Sequence, residues 1–320
     1  FKHHMTRVLV VGVGTMGFAH AKACAALNDN IIVGLVARNF QKWQNVTEYF
    51  ADVPLYSDFY AALMAEKPDA VIISSFTDTH AEYAIKAMEA GADVFVEKPL
   101  AATIKDAGRA IATARKYGRK LYVGYILRHH DMWKKFVECS RDLGQPLHVT
   151  MNMYQHSSGQ DWEYHKKIMS AGLTPLVDVG VHYADLMVQL TDGEIENIEA
   201  IGEITNSEVS IPNRISMRVS YSDGTIFDFF SGFGPEIDPN SPTLKKAVGP
   251  IGSAQITAQN LIVCNDRTHQ FDDDCSEKAI VNQQKHFFDI IKKDIDLEEH
   301  YHAVALSMAT VLVGEQELKY

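Results

Sequence analysis

The segment RVLVVGVGTMG, residues 7–17, joins an apolar, β-branched run to three closely spaced glycines. Gly12, Gly14 and Gly17 form a G-x-G-x-x-G pattern directly after a predicted strand and directly before a predicted helix, which is the context that this motif requires. In that context Gly12 makes the turn, Gly14 lets the backbone approach a pyrophosphate, and Gly17 lets helix and strand pack closely. The free N–H groups at the helix start favour the phosphate charge. The segment therefore predicts a dinucleotide-binding site.

Outward from this segment, short β-branched runs alternate with helical patterns. The predicted strands are RVLVVG, NIIVGLVA, PDAVIISS, ADVFVE and KLYVGY, and helices are predicted over 16–27, 40–50, 79–90 and 103–117. Strands that are apolar on both faces and separated by helices indicate a parallel sheet covered on both sides. Because such crossovers are right-handed, the pattern predicts the α/β class with a doubly wound Rossmann sheet.

The end of the second predicted strand bears on the choice of dinucleotide. An NAD site usually has an Asp or Glu at this point, which bonds the ribose hydroxyls. Here the chain reads LVARNF, with Ala37 in that place and Arg38 beside it. No carboxylate repels a 2′-phosphate, and the guanidinium can hold one by paired hydrogen bonds. A solvated loop arginine is the alternative, and the pattern favours NADP over NAD.

A second segment with unusual chemistry, VFVEKPL at residues 94–100, ends another apolar strand. A surface ion pair is one explanation for Glu97 and Lys98 at this point. The other is a site, because a doubly wound fold places its ligands at the strand ends beside the cofactor crevice. Pro99 holds Lys98 in an extended conformation and raises the chance of a cis Lys98–Pro99 peptide bond. Lys98 is therefore a candidate ligand-facing side chain.

A third segment, TPLVDVGVHYADLMVQL at residues 174–190, predicts a helix that is apolar nearly all round. Thr174 is predicted to cap it with its side chain, and Pro175 stands where a missing N–H costs nothing. Gly180 lies opposite a narrow polar stripe, where it permits close packing. The stripe follows a spacing of 4, 3 and 4 and consists of Asp178, His182, Asp185 and Gln189.

A polar stripe on a buried helix needs partners, and two explanations are open. In one, the stripe satisfies itself and neighbouring backbone groups. In the other it is a site, because a carboxylate one turn from a histidine can orient the ring and stabilise its charged form.

Composition and charge limit the kind of partner. The 320 residues carry a formal net charge of −11. Nucleic acid and anionic membranes need concentrated Lys and Arg, so neither is expected as the main partner. No apolar run approaches the roughly 20 residues of a membrane span. Four widely spaced cysteines predict reduced thiols in a cytoplasmic protein, and the histidines show no ligand pattern that predicts a metal.

Taken in chain order, GVGTMG, EKP and D-x-G-x-H (Asp178, Gly180 and His182) make the chain resemble the Gfo/Idh/MocA oxidoreductase family. This family includes glucose–fructose oxidoreductase, inositol dehydrogenases and dihydrodiol dehydrogenase. The resemblance covers almost the whole chain and is densest over 77–101 and 175–187. It implies a Rossmann domain over 1–126 and, over 127–320, a substrate-binding and oligomerisation domain with a large open, mostly antiparallel sheet.

The second half of the sequence agrees with this outline. PLHVTMNMY, EIENIEAIGEI, NRISMRVSY and GTIFDFFSG read as strands, with a hairpin turn at YSDG between the last two. IGSAQITA and NLIVCN are weaker strand candidates. Helices are predicted near 281–293 and 298–316. In the family the open sheet face often joins subunits, so a homodimer or homotetramer is implied.

The resemblance also implies roles for single residues. Lys98 would lie beside the nicotinamide and the substrate, and it would act together with Asp178 and His182. His182 would take the proton of a substrate secondary hydroxyl while Lys98 holds the same oxygen. Asp178 would orient His182 or bind a neighbouring hydroxyl, and both readings stay open. Glu97 would contribute to the nicotinamide side or only form an ion pair.

The remaining positions are carried over from the family's segments. His80 would contact the cofactor or only stand at a helix start. The cofactor-binding candidates are Gly12, Gly14, Thr15, Met16, Gly17, Arg38, Ser75, Thr77, His80, Glu97 and Lys98. The substrate candidates are Tyr125, Arg128, Tyr154, His156, Trp162 and His165.

The predicted function is an NAD(P)-dependent oxidoreductase acting on a secondary hydroxyl or carbonyl of a sugar, cyclitol or related polyol. The sequence separates neither the individual substrate nor the direction of the reaction. Two alternatives use the same scaffold. One is a glycosidase that keeps a bound nicotinamide and recycles it in each turnover. The other is a non-catalytic protein that senses a sugar and binds the dinucleotide.

Overall fold

The structure is a computed structural model and describes residues 4–241, 243–258 and 260–320. The chain forms two compact units. The first comprises Phe1–Ile126 and Glu277–Ala305, and the second comprises Leu127–Ser276 and Leu306–Tyr320. The predicted division into 1–126 and 127–320 differs from this in one respect, because residues 277–305 belong to the first unit.

The first unit contains a six-stranded sheet in which all neighbouring strands are parallel. Its spatial order is β3-β2-β1-β4-β5-β6. Strands β1 and β4 are central, and almost all their side chains are buried because helices cover both faces. The strands are β1 (Thr6–Val11), β2 (Asn30–Val36), β3 (Leu55–Tyr56), β4 (Ala70–Ile73), β5 (Asp93–Glu97) and β6 (Leu121–Gly124).

Five helices connect these strands. Local signals fix their ends: the Thr103 hydroxyl accepts a hydrogen bond from Asp106 N, and Gly118 ends the same helix with a φ of +61°. The predicted helix over 40–50 is instead a 3₁₀ turn, Phe40–Lys42, followed by α2. The helices are α1 (Thr15–Ala25), α2 (Gln44–Tyr49), α3 (Phe59–Glu66), α4 (Thr77–Glu89) and α5 (Ile104–Tyr117).

The second unit contains an eight-stranded sheet of order β14-β13-β12-β11-β7-β10-β9-β8. Its pairs are antiparallel except for the parallel pair β7–β10. The α/β class with a Rossmann sheet and a large, mostly antiparallel second sheet is therefore confirmed. The strands are β7 (His148–His156), β8 (Ile195–Glu203), β9 (Arg214–Tyr221), β10 (Ile226–Gly234), β11 (Lys245–Gly249), β12 (Gly252–Ala258), β13 (Leu261–Cys264) and β14 (Arg267–Gln270).

The described residues after β6 form five further α-helices, and one of them, α8, packs on strand β10. A side chain at Gly180 would meet Phe229 Cε1 at 3.0 Å, so the predicted close packing at this glycine is confirmed. The Ser231 hydroxyl also donates to the carbonyl of Pro175. The helices are α6 (Asp131–Arg141), α7 (Gly159–Ser170), α8 (Pro175–Leu190), α9 (Cys275–Lys292) and α10 (Glu298–Gln316).

The start of α8 differs from the prediction in one respect. Thr174 occupies the N-cap position, but its side chain makes no capping hydrogen bond and its Oγ1 is buried without a partner among the described residues. The main-chain N–H of Thr174 instead donates to Glu315 Oε1 at 3.2 Å. The predicted side-chain cap is therefore wrong, because the N–H of Val177, which such a cap would bind, donates to the main-chain oxygen of Thr174 at 3.2 Å.

The outer strand of the first sheet, β6, is covered by side chains of α10. Leu121 N donates to Tyr301 Oη at 3.2 Å, and Val123 N donates to His300 Nε2 at 3.0 Å. Nearby, the Arg115 guanidinium forms two hydrogen bonds with the Glu298 carboxylate at 3.0 and 2.8 Å. Side chains thus bind main-chain donors that an outer strand would otherwise present to other chains.

Two sequence expectations concern the chain as a whole. None of the helices within the described ranges is long and apolar enough to cross a membrane. The four cysteines Cys24, Cys139, Cys264 and Cys275 are present as thiols.

Candidate functional site

The glycine loop lies between β1 and α1. Gly12 has a φ of +87°, and a side chain there would lie 2.5 Å from the Ser74 carbonyl oxygen. A side chain at Gly17 would lie 1.9 Å from the Gly12 carbonyl oxygen, so helix and strand approach as closely as predicted. At Gly14 the nearest atom to such a side chain is 3.9 Å away. The loop is therefore closed on its inner side and open at Gly14.

This geometry fits a dinucleotide phosphate. Thr15 and Met16 begin α1 and are exposed, so the first turn of the helix faces solvent. The first N–H groups of a helix have no partner within the helix and carry partial positive charge. A phosphate can approach them because Gly14 presents no side chain.

The end of β2 carries the predicted selectivity residues. Ala37 is half-buried and Arg38 is exposed. The Arg38 guanidinium lies 6.0 Å from the centre of the Phe76 ring, which follows β4. Within the described part of the chain, no carboxylate lies at ion-pair distance from Arg38. Arg38 therefore presents a cation beside an aromatic ring at the end of β2, the position that the dinucleotide-binding pattern assigns to ribose recognition.

The loop after β4 is bound to the loop after β5 by one imidazole. His80 Nδ1 lies 2.7 Å from the Pro99 carbonyl oxygen, and His80 Nε2 lies 2.8 Å from the Ser75 carbonyl oxygen. Burial lowers the pKa of His80, and the two carbonyl contacts oppose this shift. Ser75 Oγ bonds Thr79 Oγ1 at 2.7 Å, while Thr77 begins α4. Because its ring is 2% exposed and bound to main chain, His80 holds the two loops together.

The EKP segment begins at Glu97, the last residue of β5. The Lys98–Pro99 peptide is cis, and Lys98 is half-buried. Glu97 Oε2 accepts a hydrogen bond from Lys98 N at 3.3 Å, and Glu97 Oε1 lies 2.6 Å from His20 Nε2. His20 is fully buried on α1 and was absent from the predicted site. Its signal was a histidine one turn after Gly17, on the helix face that the glycine pattern places against the strand.

In the second unit, the polar stripe of α8 divides into two parts. Asp178 and His182 are half-buried and lie one turn apart on one face. Asp185 is 1% exposed and accepts hydrogen bonds from Arg128 Nε and Nη2, both at 2.7 Å. Gln189 Nε2 donates to the main-chain oxygen of Asp185 at 3.3 Å. At this end the stripe is satisfied by Arg128, a side chain outside α8, and by the main chain of α8 itself.

The ion pair changes the role expected of Arg128. Burial raises the pKa of Asp185, and the guanidinium opposes this shift. Removing one partner of a buried pair leaves an uncompensated charge, which costs about 3–5 kcal/mol. Arg128 uses its Nε and Nη2 donors to bind Asp185. These two donors are therefore not directed at a substrate.

Two other substrate candidates, His165 and Trp162, both pack against Phe233. His165 is 7% exposed, bonds Ser157 Oγ through Nδ1 at 2.6 Å and stacks on Phe233 at 3.8 Å. Burial lowers the pKa of His165, and the charge of Asp178 opposes the shift. Trp162 packs with Phe233 in an apolar cluster and donates through Nε1 to Glu208 at 2.8 Å. His165 and Asp178 therefore share one electrostatic environment.

Two substrate candidates do not join this group. Tyr154 pairs in register with Gly232 and contacts Phe230 and Arg214, the guanidinium lying 4.6 Å from its ring. Because side chains alternate along a strand and Phe229 faces α8, Tyr154 lies on the opposite face of the sheet. His156 follows on the same face and bonds the Ile237 carbonyl oxygen. The structure therefore separates Tyr154 and His156 from Asp178 and His182.

In the first unit, Tyr125 directly follows β6 and is 1% exposed. Its ring belongs to the buried part of the molecule, so the structure offers no accessible surface of this side chain to a substrate.

Among the described residues, no group of three or more His, Cys, Asp or Glu side chains is arranged to hold a metal ion.

Comparisons with known proteins match two segments of the chain to one family. Residues 6–125 match an oxidoreductase family with an NAD-binding Rossmann fold, and residues 134–235 match the GFO/IDH/MocA C-terminal domain. A myo-inositol 2-dehydrogenase from Thermotoga maritima is 26% identical over 204 residues, which are 63% of this chain and 60% of that protein. A D-glucoside 3-dehydrogenase from Escherichia coli is 29% identical over 182 residues, 56% of this chain and 52% of that protein. The chain thus matches less than two thirds of the length of either relative.

Solved structures share the fold over nearly the whole chain. GenD2 from gentamicin A biosynthesis, in complex with NAD, has a TM-score of 0.83 at 17% identity, covering 98% of this chain and 94% of that one. Scyllo-inositol dehydrogenase from Lactobacillus casei, with bound NAD(H) and scyllo-inositol, has a TM-score of 0.80 at 17% identity, covering 98% and 97%. The glycine loop, the EKP segment and the two matched domains together show that this chain belongs to the Gfo/Idh/MocA oxidoreductase family.

Proposed function

We propose that this protein is an oxidoreductase that uses NADP in preference to NAD and interconverts a secondary hydroxyl and a carbonyl on a sugar, cyclitol or related polyol. The observation that carries the proposal is the half-buried Asp178–His182 pair on one face of α8, in a chain whose strand β5 is followed directly by Lys98. Relatives named as inositol and glucoside dehydrogenases support the substrate class.

The glycine loop and the start of α1 would hold the pyrophosphate, and Arg38 the adenosine ribose. A bound nicotinamide supplies the exchange of two electrons with the substrate carbon. The remaining chemistry belongs to the side chains of the protein. His182 accepts the proton of the substrate hydroxyl in oxidation and returns it in reduction. The Lys98 ammonium binds the oxygen on which negative charge develops.

Asp178 stands one helical turn before His182, so it can orient the imidazole and stabilise its charged form. His165 shares the electrostatic environment of Asp178, and burial lowers its pKa. A neutral His165 can donate to or accept from a substrate hydroxyl through the ring nitrogen that does not face Ser157. We propose that Asp178 and His165 together define the binding site for a substrate rich in hydroxyl groups.

The experiment is a measurement of nicotinamide absorbance after mixing the protein with a panel of polyols and sugars, with NADP⁺ and NAD⁺ in parallel. Reduction with one class of polyol is the expected result. Cofactor binding without reduction by any member of the panel would contradict the proposal. In that case, cleavage of nitrophenyl glycosides would indicate the glycosidase alternative, and sugar binding without cleavage would indicate the sensor.

The proposed preference for NADP predicts a selective effect of Arg38→Ala. A hydrogen bond to a charged group contributes about 1.5–3 kcal/mol, so the Kd for NADP⁺ should rise roughly 10- to 150-fold. The Kd for NAD⁺ should change little, because NAD⁺ has no 2′-phosphate. The measurement is titration of both cofactors by intrinsic fluorescence or calorimetry.

Lys42→Ala is the matched control for Arg38→Ala, because Lys42 is also exposed and lies in the neighbouring 3₁₀ turn. It should leave both Kd values unchanged. An equal loss of affinity for NAD⁺ and NADP⁺ in Arg38→Ala would show that Arg38 does not read the 2′-phosphate.

We further propose that the protein is a homodimer or homotetramer through the face of the eight-stranded sheet opposite α8. That face carries Tyr154, Phe230 and the exposed Ile201, as well as the Arg218–Asp228 ion pair. Sedimentation velocity at several concentrations should give a dimer or tetramer. Ile201→Lys should lower the association constant, since it places a charge on this face, and a wild-type monomer at all concentrations would contradict the proposal.

A further inference from the structure

Behind the EKP segment, three buried side chains form a hydrogen-bonded chain that ends at Glu97. His20 on α1 and Gln284 on α9 are both 0% exposed. His20 Nε2 lies 2.6 Å from Glu97 Oε1, and His20 Nδ1 lies 2.9 Å from Gln284 Nε2. Gln284 Oε1 lies 3.3 Å from the sulfur of Cys24, which is one helical turn after His20. All four residues belong to the first unit.

With a neutral imidazole and an ionised Glu97, one order of donors and acceptors satisfies all the contacts of these side chains. An amide nitrogen can only donate, so Gln284 Nε2 requires His20 Nδ1 to accept. The proton of a neutral imidazole then lies on Nε2, which donates to Glu97. At the other end, burial raises the pKa of Cys24, so the thiol keeps its proton and donates to Gln284 Oε1. Because the thiol donates, it favours the orientation in which the amide oxygen of Gln284 faces Cys24 and the amide nitrogen faces His20.

His20 holds one oxygen of the Glu97 carboxylate, and the neighbourhood of the other oxygen is also defined. Glu97 Oε2 accepts a hydrogen bond from Lys98 N at 3.3 Å. A side chain at Gly124 would lie 3.3 Å from the same oxygen, so this glycine leaves the space that the carboxylate occupies. Both oxygens of Glu97 therefore have defined partners, and one of them is the main chain of Lys98.

We propose that Cys24, Gln284 and His20 are positioning residues that hold His20 as the neutral Nε2–H tautomer and thereby hold the Glu97 carboxylate against the Lys98 main chain. This inference rests on the proposed function, in which Lys98 binds the substrate oxygen. None of the three residues needs to touch substrate or cofactor. Their effect reaches the reaction through Glu97 and the main chain that carries Lys98.

The first test needs no substrate. In protein labelled with ¹⁵N-histidine, two-bond nitrogen–proton correlation spectra identify the tautomer of each ring, and His20→Gln assigns the His20 signals. The expected result is a neutral Nε2–H ring for His20 in the wild-type protein. A doubly protonated ring or an Nδ1–H ring would overturn the proposal.

The second test changes the group that faces Nδ1. Gln284→Glu replaces the donor with an acceptor, so His20 should carry a proton on Nδ1. Gln284→Met removes the donor altogether, and turnover should fall about tenfold at unchanged KM for substrate, because small displacements near reacting groups lower the rate. An unchanged His20 spectrum in Gln284→Glu together with unchanged kcat in Gln284→Met would contradict the proposal.

Gln283, the residue before Gln284 in the sequence, offers a matched control. Gln283 is also on α9 and 0% exposed, and within the described residues both polar atoms of its side chain are buried without a hydrogen-bond partner. Gln283→Met should leave the His20 spectrum and kcat unchanged and should not lower stability, since it removes an unsatisfied polar group. If it altered both as much as Gln284→Met, the effect would be one of packing.

Smaller substitutions at Cys24 test the same hydrogen bonds if the Gln284 variants do not fold. Cys24→Ala deletes the thiol donor, and Cys24→Ser restores an O–H donor. We expect partial loss of the His20 tautomer in the first and its return in the second. If the wild-type protein reduced neither cofactor with any polyol, the proposed function would fall while the spectral result would still decide whether this chain sets the His20 tautomer.

Discussion

Lys98→Met is expected to lower turnover about 10³-fold, because an ammonium group that stabilises developing negative charge contributes a factor of this order. Methionine keeps an unbranched stem of similar length and removes only the charge and its hydrogen bonds. Lys98 is half-buried at the end of β5, so the apolar stem can keep its packing. The measurement combines steady-state kinetics with titration of the cofactor, whose Kd should change only a few-fold.

Lys105→Met is the matched control, because Lys105 is exposed on the neighbouring helix α5. It should have wild-type kinetics. Thermal unfolding of both variants separates loss of chemistry from loss of structure. Near-wild-type turnover of a folded Lys98→Met protein would remove Lys98 from the mechanism and leave the EKP segment with a structural role.

His182→Ala is expected to reduce turnover about 10²- to 10⁴-fold, the usual contribution of a positioned general base. The alanine leaves a space beside Asp178, so added imidazole should restore part of the activity in a concentration-dependent way. Rescue of this kind reports proton transfer, since a purely structural loss would not respond to a soluble base. The measurement is the initial rate with increasing imidazole at fixed pH and saturating cofactor.

His302→Ala serves as the control, because His302 is exposed on α10. Its rate should equal that of the wild type and should not respond to imidazole. The assignment of His182 fails if His182→Ala keeps its rate. If, in addition, Asp178→Asn lost the whole of the rate, the carboxylate would act without the imidazole.

The fold could be predicted wherever an element is long enough to show its own period. The buried strands β1, β4 and β5 are apolar runs, and the glycine pattern fixed the junction of β1 with α1. Strand β3 has only two residues, so it shows no alternation, and α3 was missed with it. The signal for α3 was the Asp58 side chain, which accepts a hydrogen bond from Ala61 N at 2.9 Å.

In the second unit, α6, α7, β11 and β14 were missed. The apolar residues of α6 recur at helical spacing and include the buried Trp133 and Phe136, so its pattern was readable. Strand β14 is a short outer strand with three exposed positions among its four residues, and no apolar period marks it. Outer strands of this kind are recognised only from the strand they pair with.

The candidate site was predicted where one element carries the chemistry. Asp178 and His182 share a helix, so their spacing alone places them on one face. The partners of Glu97 and Asp185 could not be predicted, because His20 lies 77 positions from Glu97 and Arg128 lies 57 from Asp185. Tyr154 is a substrate candidate only through the resemblance to the family, and strand alternation alone does not show which face of the sheet receives a helix.

The contacts of Tyr301 and His300 with strand β6 have a consequence for biosynthesis. A ribosome releases the chain from its N-terminus, so residues 1–126 emerge long before residues 298–301, whose side chains bind β6. Until then the nascent first unit carries open main-chain donors on β6 and lacks Gln284 beside His20. The Rossmann unit is thus completed only after residues 284–301 have left the ribosome, and a shorter nascent chain cannot offer the cofactor the finished unit.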